Sequence, residues 1–306
     1  MAQHATARAV TRGNTPPTLL FGALQQAGAI PANASWKRLS GGRSNHVWRV
    51  RWSGADVVVK LFPKTGMKNP LFPNCPITEY QALGRFAPLG LAPEPSGFVE
   101  TGAGSCLIYE YQPGRPGACT PKAAGRLLRR LHMVPADCRA QALRRIASGA
   151  HALRLQARAI LTRCPAGMAR CLAALMPQGD VPPLMSPVPV HGDAVPGNMI
   201  QKDDGRLVLI DWQCPALGDP CEDLAMFLSP AMRFLYGARS LSRAEENIFL
   251  AAYGDPTAVA RYRRLAAFFH WRMAAYCLWR AARGAHDYGR ALPLEIMALK
   301  RSRNRH

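Results

Sequence analysis

The chain has 306 residues, of which 48% are apolar and 19% are charged, a composition typical of globular proteins with one large or two medium domains. Its net charge of +20, from 39 basic and 19 acidic residues, favours anionic ligands over polycationic ones. Apart from the tail at residues 300–305, the basic residues are spread along the chain. We therefore expect neither nucleic-acid binding nor, for lack of a long apolar run, a membrane span.

The nine cysteines show no CxxC spacing, which argues against a disulfide framework and against a zinc site. Reduced, mostly buried thiols in a cytoplasmic protein are the expected state. The polar residues 1–17 include no apolar signal segment, and we expect them to form a flexible tail.

The first half of the chain predicts a β-sheet with few helices. After a short helix over Thr18–Ala27, the segments 36–40, 46–52 and 57–62 show the alternation or β-branched composition of strands, with a Gly-rich turn before the second. A helix over Ile77–Phe86 and two strands, 97–100 and 106–111, follow a loop at 63–76. The sharp change after Tyr111 predicts a domain boundary, giving domains at 18–111 and 112–306.

The second half predicts mainly helices. Thr120-Pro121 is a typical helix start, and this helix would end at His132. Further helices are predicted within 140–163, 167–176, 220–228, 242–253 and 257–283.

One stretch, Val188–Gln213, interrupts these helices with a β pattern. It contains His191-Gly192-Asp193, then Asn198, then a predicted hairpin with strands at 199–202 and 207–210, and then Asp211. Two carboxylates and an amide at strand ends suit phosphoryl transfer, in which one Asp accepts the proton of the attacking hydroxyl and the other groups hold magnesium against phosphates.

These motifs resemble those of the aminoglycoside phosphotransferase and choline kinase superfamily. The matching pieces occur in the family's order across residues 36–228: Gly41-Gly42-Arg43-Ser44-Asn45, Val59-Lys60, Glu79, His191-Gly192-Asp193 with Asn198, Asp211-Trp212, and the run from Gly218 to Ala225. The resemblance implies an α+β fold of the two-lobed protein-kinase type, with an N-terminal antiparallel sheet carrying one helix and a mainly helical C-terminal lobe.

The resemblance also implies site roles and the cofactors ATP and Mg²⁺. Asp193 would be the catalytic base, and Asn198 and Asp211 the magnesium ligands. The nucleotide-binding residues would come from the Gly-rich loop, the strand 57–62, the helix Ile77–Phe86 and the segment that joins the two lobes. They are Gly41, Gly42, Ser44, Asn45, Lys60, Glu79, Glu110 and Tyr111, and Glu79 would pair with Lys60. Supporting roles would fall to His191, Asp219 and Asp223, although a helix N-cap also explains Asp219.

The phosphate acceptor is less clearly indicated. Aromatic residues cluster at 268–280, and Trp271, Tyr276 and Trp279 either form a core stripe or an aromatic cage for an ammonium group, as in choline and ethanolamine kinases. The resemblance to choline kinases is incomplete, since those enzymes more often have Asn where Gly192 stands and an aromatic-acid pair in place of Trp212-Gln213.

We predict transfer of the γ-phosphoryl group of ATP to a small alcohol, with choline or ethanolamine preferred. Thiamine or a sugar comes next, and then an aminoglycoside, for which few acids remain: Glu222, Glu245, Glu246 and Glu295. A kinase-like pseudoenzyme is the alternative of another class, but Lys60, Asp193, Asn198 and Asp211 are all present.

Overall fold

A computed structural model describes residues 16–39, 44–64, 69–136 and 143–303. The chain divides into two compact units. The first comprises Met1–Met67 with Glu94–Tyr111, and the second comprises Lys68–Pro93 with Gln112–His306.

The first unit is an antiparallel sheet of five strands in the order β1-β2-β3-β5-β4. The strands are β1 (Ser35–Arg38), β2 (His46–Trp52), β3 (Ala55–Pro63), β4 (Pro95–Thr101) and β5 (Gly104–Glu110). Helix α1 (Thr18–Gln26) packs on β4 and contributes Leu20 and Leu24 to a core with Trp48, Val59 and Ile108. The strands predicted from alternation and β-branched residues are therefore confirmed.

The second unit is mainly helical. Its helices are α2 (Pro76–Phe86), α3 (Pro121–His132), α4 (Gly149–Leu161), α5 (Ala166–Ala173), α6 (Cys221–Leu228), α7 (Pro230–Leu235), α8 (Arg243–Tyr253), α9 (Pro256–Ala281) and α10 (His286–Arg303). The predicted start of α3 is confirmed, because the Thr120 hydroxyl accepts a hydrogen bond from the Ala123 amide at 3.2 Å. No helix in the described ranges is both long and apolar enough to cross a membrane.

Six short strands of the second unit form two small sheets. β9 (Met199–Gln201) and β10 (Leu207–Leu209) make the predicted hairpin, and β6 (Arg115–Pro116) pairs with β9. In the other sheet, β11 (Ala216–Gly218) lies between β7 (Arg144–Arg145) and β8 (Val188–Val190). This second sheet was not predicted, because two- and three-residue strands carry too little periodicity to be detected.

The segment 68–93 lies in the second unit, whereas the sequence analysis placed it in the domain 18–111. The reason is that this segment packs against residues more than 100 positions later in the chain, and such contacts cannot be predicted from the local sequence pattern. Phe86 of α2 stacks on Trp212 with ring centroids 4.5 Å apart, and the Leu209 amide donates to the Leu91 carbonyl at 3.0 Å. The segment is thereby fixed beside the hairpin.

Helix α10 was also missed. It contains Pro293 in its interior, a feature that argues against a helix when only the sequence is considered. Extensive packing of α10 along α9 stabilises it despite the proline. The whole is an α+β protein with an antiparallel sheet in its first unit and a predominantly helical second unit.

Candidate active site

The loop after β8 carries the predicted catalytic residue. Gly192 has a φ of +78°, and a Cβ there would lie 2.4 Å from the Cys214 carbonyl oxygen. Both facts require glycine at this position. The backbone therefore turns sharply between His191 and Asp193, and Asp193 follows the turn with 3% of its surface exposed.

Asp223 of α6 holds this loop. Its side chain is fully buried, and its two oxygens accept hydrogen bonds from the amides of His191 and Gly192, each at 2.8 Å. His132 of α3 binds the same carboxylate through Nε2 at 3.0 Å. Burial by itself would raise the pKa of Asp223, but the His132 hydrogen bond and charge and the His191 interactions outweigh it and lower the pKa.

His191 is part of the scaffold. Its Nδ1 accepts from the Asp193 amide at 3.2 Å, so Nε2 carries the proton and donates to the Ile210 carbonyl at 3.0 Å. The imidazole also packs edge-to-face on Trp212 at 4.6 Å. Both ring nitrogens thus connect the catalytic loop to the residues just before Asp211.

Asn198 positions Asp193. The Asn198 side-chain amide nitrogen donates to the Asp193 carbonyl at 2.9 Å and to its Oδ2 at 3.2 Å. Asn198 is 4% exposed and ends a short 3₁₀ turn, Pro196–Asn198. Because the nitrogen faces Asp193, the side-chain oxygen of Asn198 is the atom that remains for a ligand.

Asp211 lies one residue beyond the hairpin. Its φ is +63°, a left-handed conformation that Asp tolerates better than most residues and that is often found at functional sites. The Ile210 amide donates to the Asn198 backbone carbonyl at 2.9 Å, which ties the segments bearing Asn198 and Asp211 together.

Asn198 and Asp211 form a donor set that fits magnesium. They offer one amide oxygen and one carboxylate, hard oxygen ligands of the kind that Mg²⁺ takes together with phosphate oxygens and water. Among the described residues, no group of three or more His, Cys, Asp or Glu side chains could hold a metal by itself. A magnesium ion held by these two residues would take its remaining ligands from phosphate oxygens and water.

Asp219 supports the start of α6. One oxygen accepts from the Cys221 amide at 3.0 Å, and the other binds Arg261 Nε at 2.7 Å. Asp219 is 1% exposed. These contacts agree with the N-cap explanation and add an ion pair to α9 that the sequence did not indicate.

In the first unit, Lys60 lies in the middle of β3, opposite Val47 on β2 and Leu107 on β5. It is 2% exposed, and its ammonium group is 5.1 Å from the centre of the Phe62 ring. A buried Lys is unfavourable unless its charge is compensated, so its position suits a residue that meets an anion.

The other residues predicted to contact nucleotide are spread over both units. Gly41 and Gly42 lie outside the described residues; Ser44 is exposed, and Asn45 is 6% exposed. Glu110 and Tyr111 close β5, where the Tyr111 amide donates to Asp56 and Arg49 lies 3.7 Å from the Tyr111 ring. Glu79 is fully buried on α2 of the second unit, and its pairing with Lys60 stays a prediction.

The aromatic residues of α9 belong to the core of the second unit. Trp271 has no exposed surface, and its indole nitrogen donates to the Leu172 carbonyl at 2.7 Å. Trp279 is 2% exposed, and the Arg283 guanidinium lies 4.5 Å from its ring. These contacts favour the core interpretation of both tryptophans over a cage open to a ligand.

Tyr276 differs from its two neighbours. Its hydroxyl accepts a hydrogen bond from the Asn69 side-chain nitrogen at 2.8 Å, and its ring packs edge-on against Phe72 and Tyr288. Burial raises the pKa of Tyr276 strongly, and the nearby charge of Asp193 raises the pKa further. The charge of Asp193, the predicted catalytic residue, therefore acts on Tyr276.

The sequence matches the phosphotransferase enzyme family over residues 35–268, more than half of the chain. The chain belongs to this family.

Solved structures with the same fold include aminoglycoside and choline kinases. A candidate aminoglycoside phosphotransferase from Ralstonia eutropha JMP134 aligns with a TM-score of 0.65 at 16% identity, covering 94% of this chain and 98% of that one. Choline kinase LicA from Streptococcus pneumoniae aligns with a TM-score of 0.57 at 17% identity, and the alignment covers 91% of this chain and 99% of that one. The structure of APH(2")-IIa in a ternary complex with streptomycin and ATP aligns with a TM-score of 0.58 at 16% identity, and the alignment covers 91% of this chain and 96% of that one. No curated protein matches the sequence.

Two residues of this phosphotransferase that support the site were not identified from its sequence. His132 ends an amphipathic helix 91 residues before its partner Asp223, and Asn69 is 207 residues before Tyr276. For His132, the only local signal in the sequence was a histidine in the last turn of the predicted helix. Asn69 had none, because it lies in a loop rich in Pro and Asn.

Proposed function

We propose that this phosphotransferase moves the γ-phosphoryl group of ATP to the hydroxyl of a small metabolite, with an amino alcohol such as choline or ethanolamine as the preferred acceptor. The observation that carries the proposal is the geometry of Asp193. A buried carboxylate held by Asn198, on a loop fixed by Asp223, suits a proton acceptor better than a surface turn.

In the proposed reaction, the acceptor oxygen forms a bond to the γ-phosphorus while the bond from that phosphorus to the oxygen of ADP breaks. Asp193 orients the hydroxyl and takes its proton. Asn198 and Asp211 would hold magnesium, which neutralises charge on the phosphate oxygens when it is bound. Lys60, Ser44, Asn45 and the glycines before them are the proposed phosphate contacts.

Three of the four candidate acids of the second unit are paired, which argues against a polycationic acceptor. Glu222 forms a buried ion pair with Arg272, in which one of the hydrogen bonds is 3.0 Å, and Glu295 is bound by His270 at 2.7 Å. Glu245 caps α8 and pairs with Arg239. An acidic cleft for an aminoglycoside would need such carboxylates unpaired.

The surroundings of Tyr276 favour an acceptor with at most one positive charge. The rings of Tyr276, Phe72 and Tyr288 are 2%, 8% and 3% exposed, and in this proposal they would have to open to give aromatic surface to an ammonium group. The Arg280 guanidinium lies 5.0 Å from the centre of the Tyr288 ring, and its charge disfavours a polycationic acceptor more strongly than a singly charged one.

The proposal is tested by ADP release with magnesium and ATP against choline, ethanolamine, thiamine, homoserine, sugars and a kanamycin-type compound. We expect the largest kcat/KM for an amino alcohol. A preference for kanamycin would overturn the acceptor assignment, and equal release by the Asp193→Asn variant would overturn the catalytic one.

A further inference from the structure

A cavity of about 630 Å³ lies in the second unit, between helices α8, α9 and α10 and the segment that follows α6. Its volume falls in the range of about 300–1,000 Å³ that is usual for small-molecule sites. Leu228, Leu250, Tyr262, Ala266 and Ala298 are buried apolar and aromatic residues that contribute to its wall.

The charged lining of this cavity is predominantly basic. Three arginines, Arg243 of α8, Arg263 of α9 and Arg301 of α10, come from three different helices, and Glu246 is the acid among the lining residues. All three arginines are exposed. A guanidinium group can donate two parallel hydrogen bonds to an oxyanion, so each of the three is a candidate anion contact.

Two polar side chains of the lining, His270 and Ser302, are each only 9% exposed. The Nδ1 of His270 is 2.7 Å from Glu295, a fully buried carboxylate that also binds the Ser229 hydroxyl and the Ala231 amide. This network fixes the orientation of the imidazole, so its other nitrogen, Nε2, remains for a ligand. The cavity is thus a preorganised site with a polar floor.

The cavity is separate from the candidate active site. None of the residues assigned to catalysis, magnesium or nucleotide lines it. Along α9, His270 of the cavity and Tyr276 are six residues apart, which corresponds to about 9 Å of helix.

We propose that this cavity binds a small molecule that carries an oxyanion, a phosphate or a carboxylate, on an apolar body. The arginines bind the oxyanion, while Tyr262, Leu250 and Ala266 contact the apolar part. The site is independent of the acceptor and would add a second ligand to the phosphotransferase.

Calorimetric titration with phenyl phosphate, benzoate and benzyl alcohol tests the proposal. We expect both anions to bind more tightly than the neutral alcohol, and the tighter of the two identifies phosphate or carboxylate as the preferred group. The proposal would be overturned if benzyl alcohol bound as tightly as the anions, or if neither anion bound.

Arginine variants assign the binding to the cavity. The Arg243→Ser/Arg301→Ser double variant should weaken anion binding by about 100-fold, since each of the two charge-assisted contacts contributes about tenfold. Arg170→Ser, which removes an exposed arginine on α5, should leave the Kd unchanged. The anions can also bind at the predicted nucleotide site, so the proposal fails if no component of the isotherm depends on Arg243 and Arg301.

Discussion

The proposed catalytic stretch, residues 188–213, is buried apart from the hairpin turn, and the aromatic segment 268–280 of α9 is buried along almost its whole length. The two regions differ in what fixes them. In the catalytic stretch, Asp193 is held by Asn198 and by His191, partners within five residues. In the aromatic segment, Trp271 is held by Leu172, a partner 99 residues away. Local spacing therefore predicts the side chains around Asp193, although the loop itself is also held by the distant Asp223, whereas the position of Trp271 depends on packing alone.

The largest expected effect is on catalysis, in the catalytic stretch. Replacing Asp193 with Asn keeps the shape but removes the proton acceptor, so kcat should fall by about 10²–10⁴-fold. Steady-state ADP release measures it. Asp203→Asn, in the exposed turn of the hairpin, is the matched control and should retain activity.

The backbone of the same stretch makes the next prediction. Gly192→Ala introduces a Cβ 2.4 Å from the Cys214 carbonyl oxygen at a φ of +78° and should lower the free energy of unfolding by about 3 kcal/mol. Gly205→Ala has a similar φ of +81° but nothing within 4 Å of the added Cβ, so it should cost only about 1 kcal/mol. Urea denaturation measures the free energy of unfolding of both variants. Equal losses would show that the close contact with Cys214 does not add to the cost of the Gly192→Ala substitution.

Asp223, which holds the loop that carries Asp193, should make the free energy of unfolding depend on pH. The pKa of Asp223 is lowered in the folded state from its ordinary value of 3.8, so the unfolded chain binds the proton more readily. The stabilisation by Asp223 is complete above pH 3.8 and is lost as the pH falls below it through the folded pKa. Unfolding curves between pH 6 and 3 should show this loss.

The Asp223→Asn variant is the control for that titration, because it lacks the ionisable group. It should be less stable at pH 6 and show a weaker fall in stability towards pH 3. A variant whose pH profile parallels the wild type would mean that other acids account for the acid destabilisation.

The smallest effects separate Tyr276 from Trp271 within the aromatic segment. Tyr276→Phe removes the hydroxyl bonded to Asn69 and should raise the acceptor KM several-fold with little change in the KM for ATP. Trp271→Phe leaves the buried Leu172 carbonyl without its donor, so it should reduce the free energy of unfolding by about 1–3 kcal/mol without changing either KM. A raised acceptor KM in Trp271→Phe would restore the cage hypothesis.

The same contrast explains how far the sequence alone could reach. The hairpin, the strands of the first unit and most helices follow from local periodicity, and the motif around Asp193 follows from short spacing. The role of Asn69, the contact of His132 with Asp223, and the placement of 68–93 beside the hairpin depend on partners distant in sequence. Helix α10 required tertiary packing to offset Pro293.

Phosphorus NMR of the protein with ATP, magnesium and choline or ethanolamine tests the central proposal most directly. The account predicts that a phosphomonoester of the amino alcohol appears in step with ADP, and that the Asp193→Asn variant forms it at least about 100 times more slowly. ADP accompanied only by inorganic phosphate, or ester formation at the same rate by the variant, would contradict it.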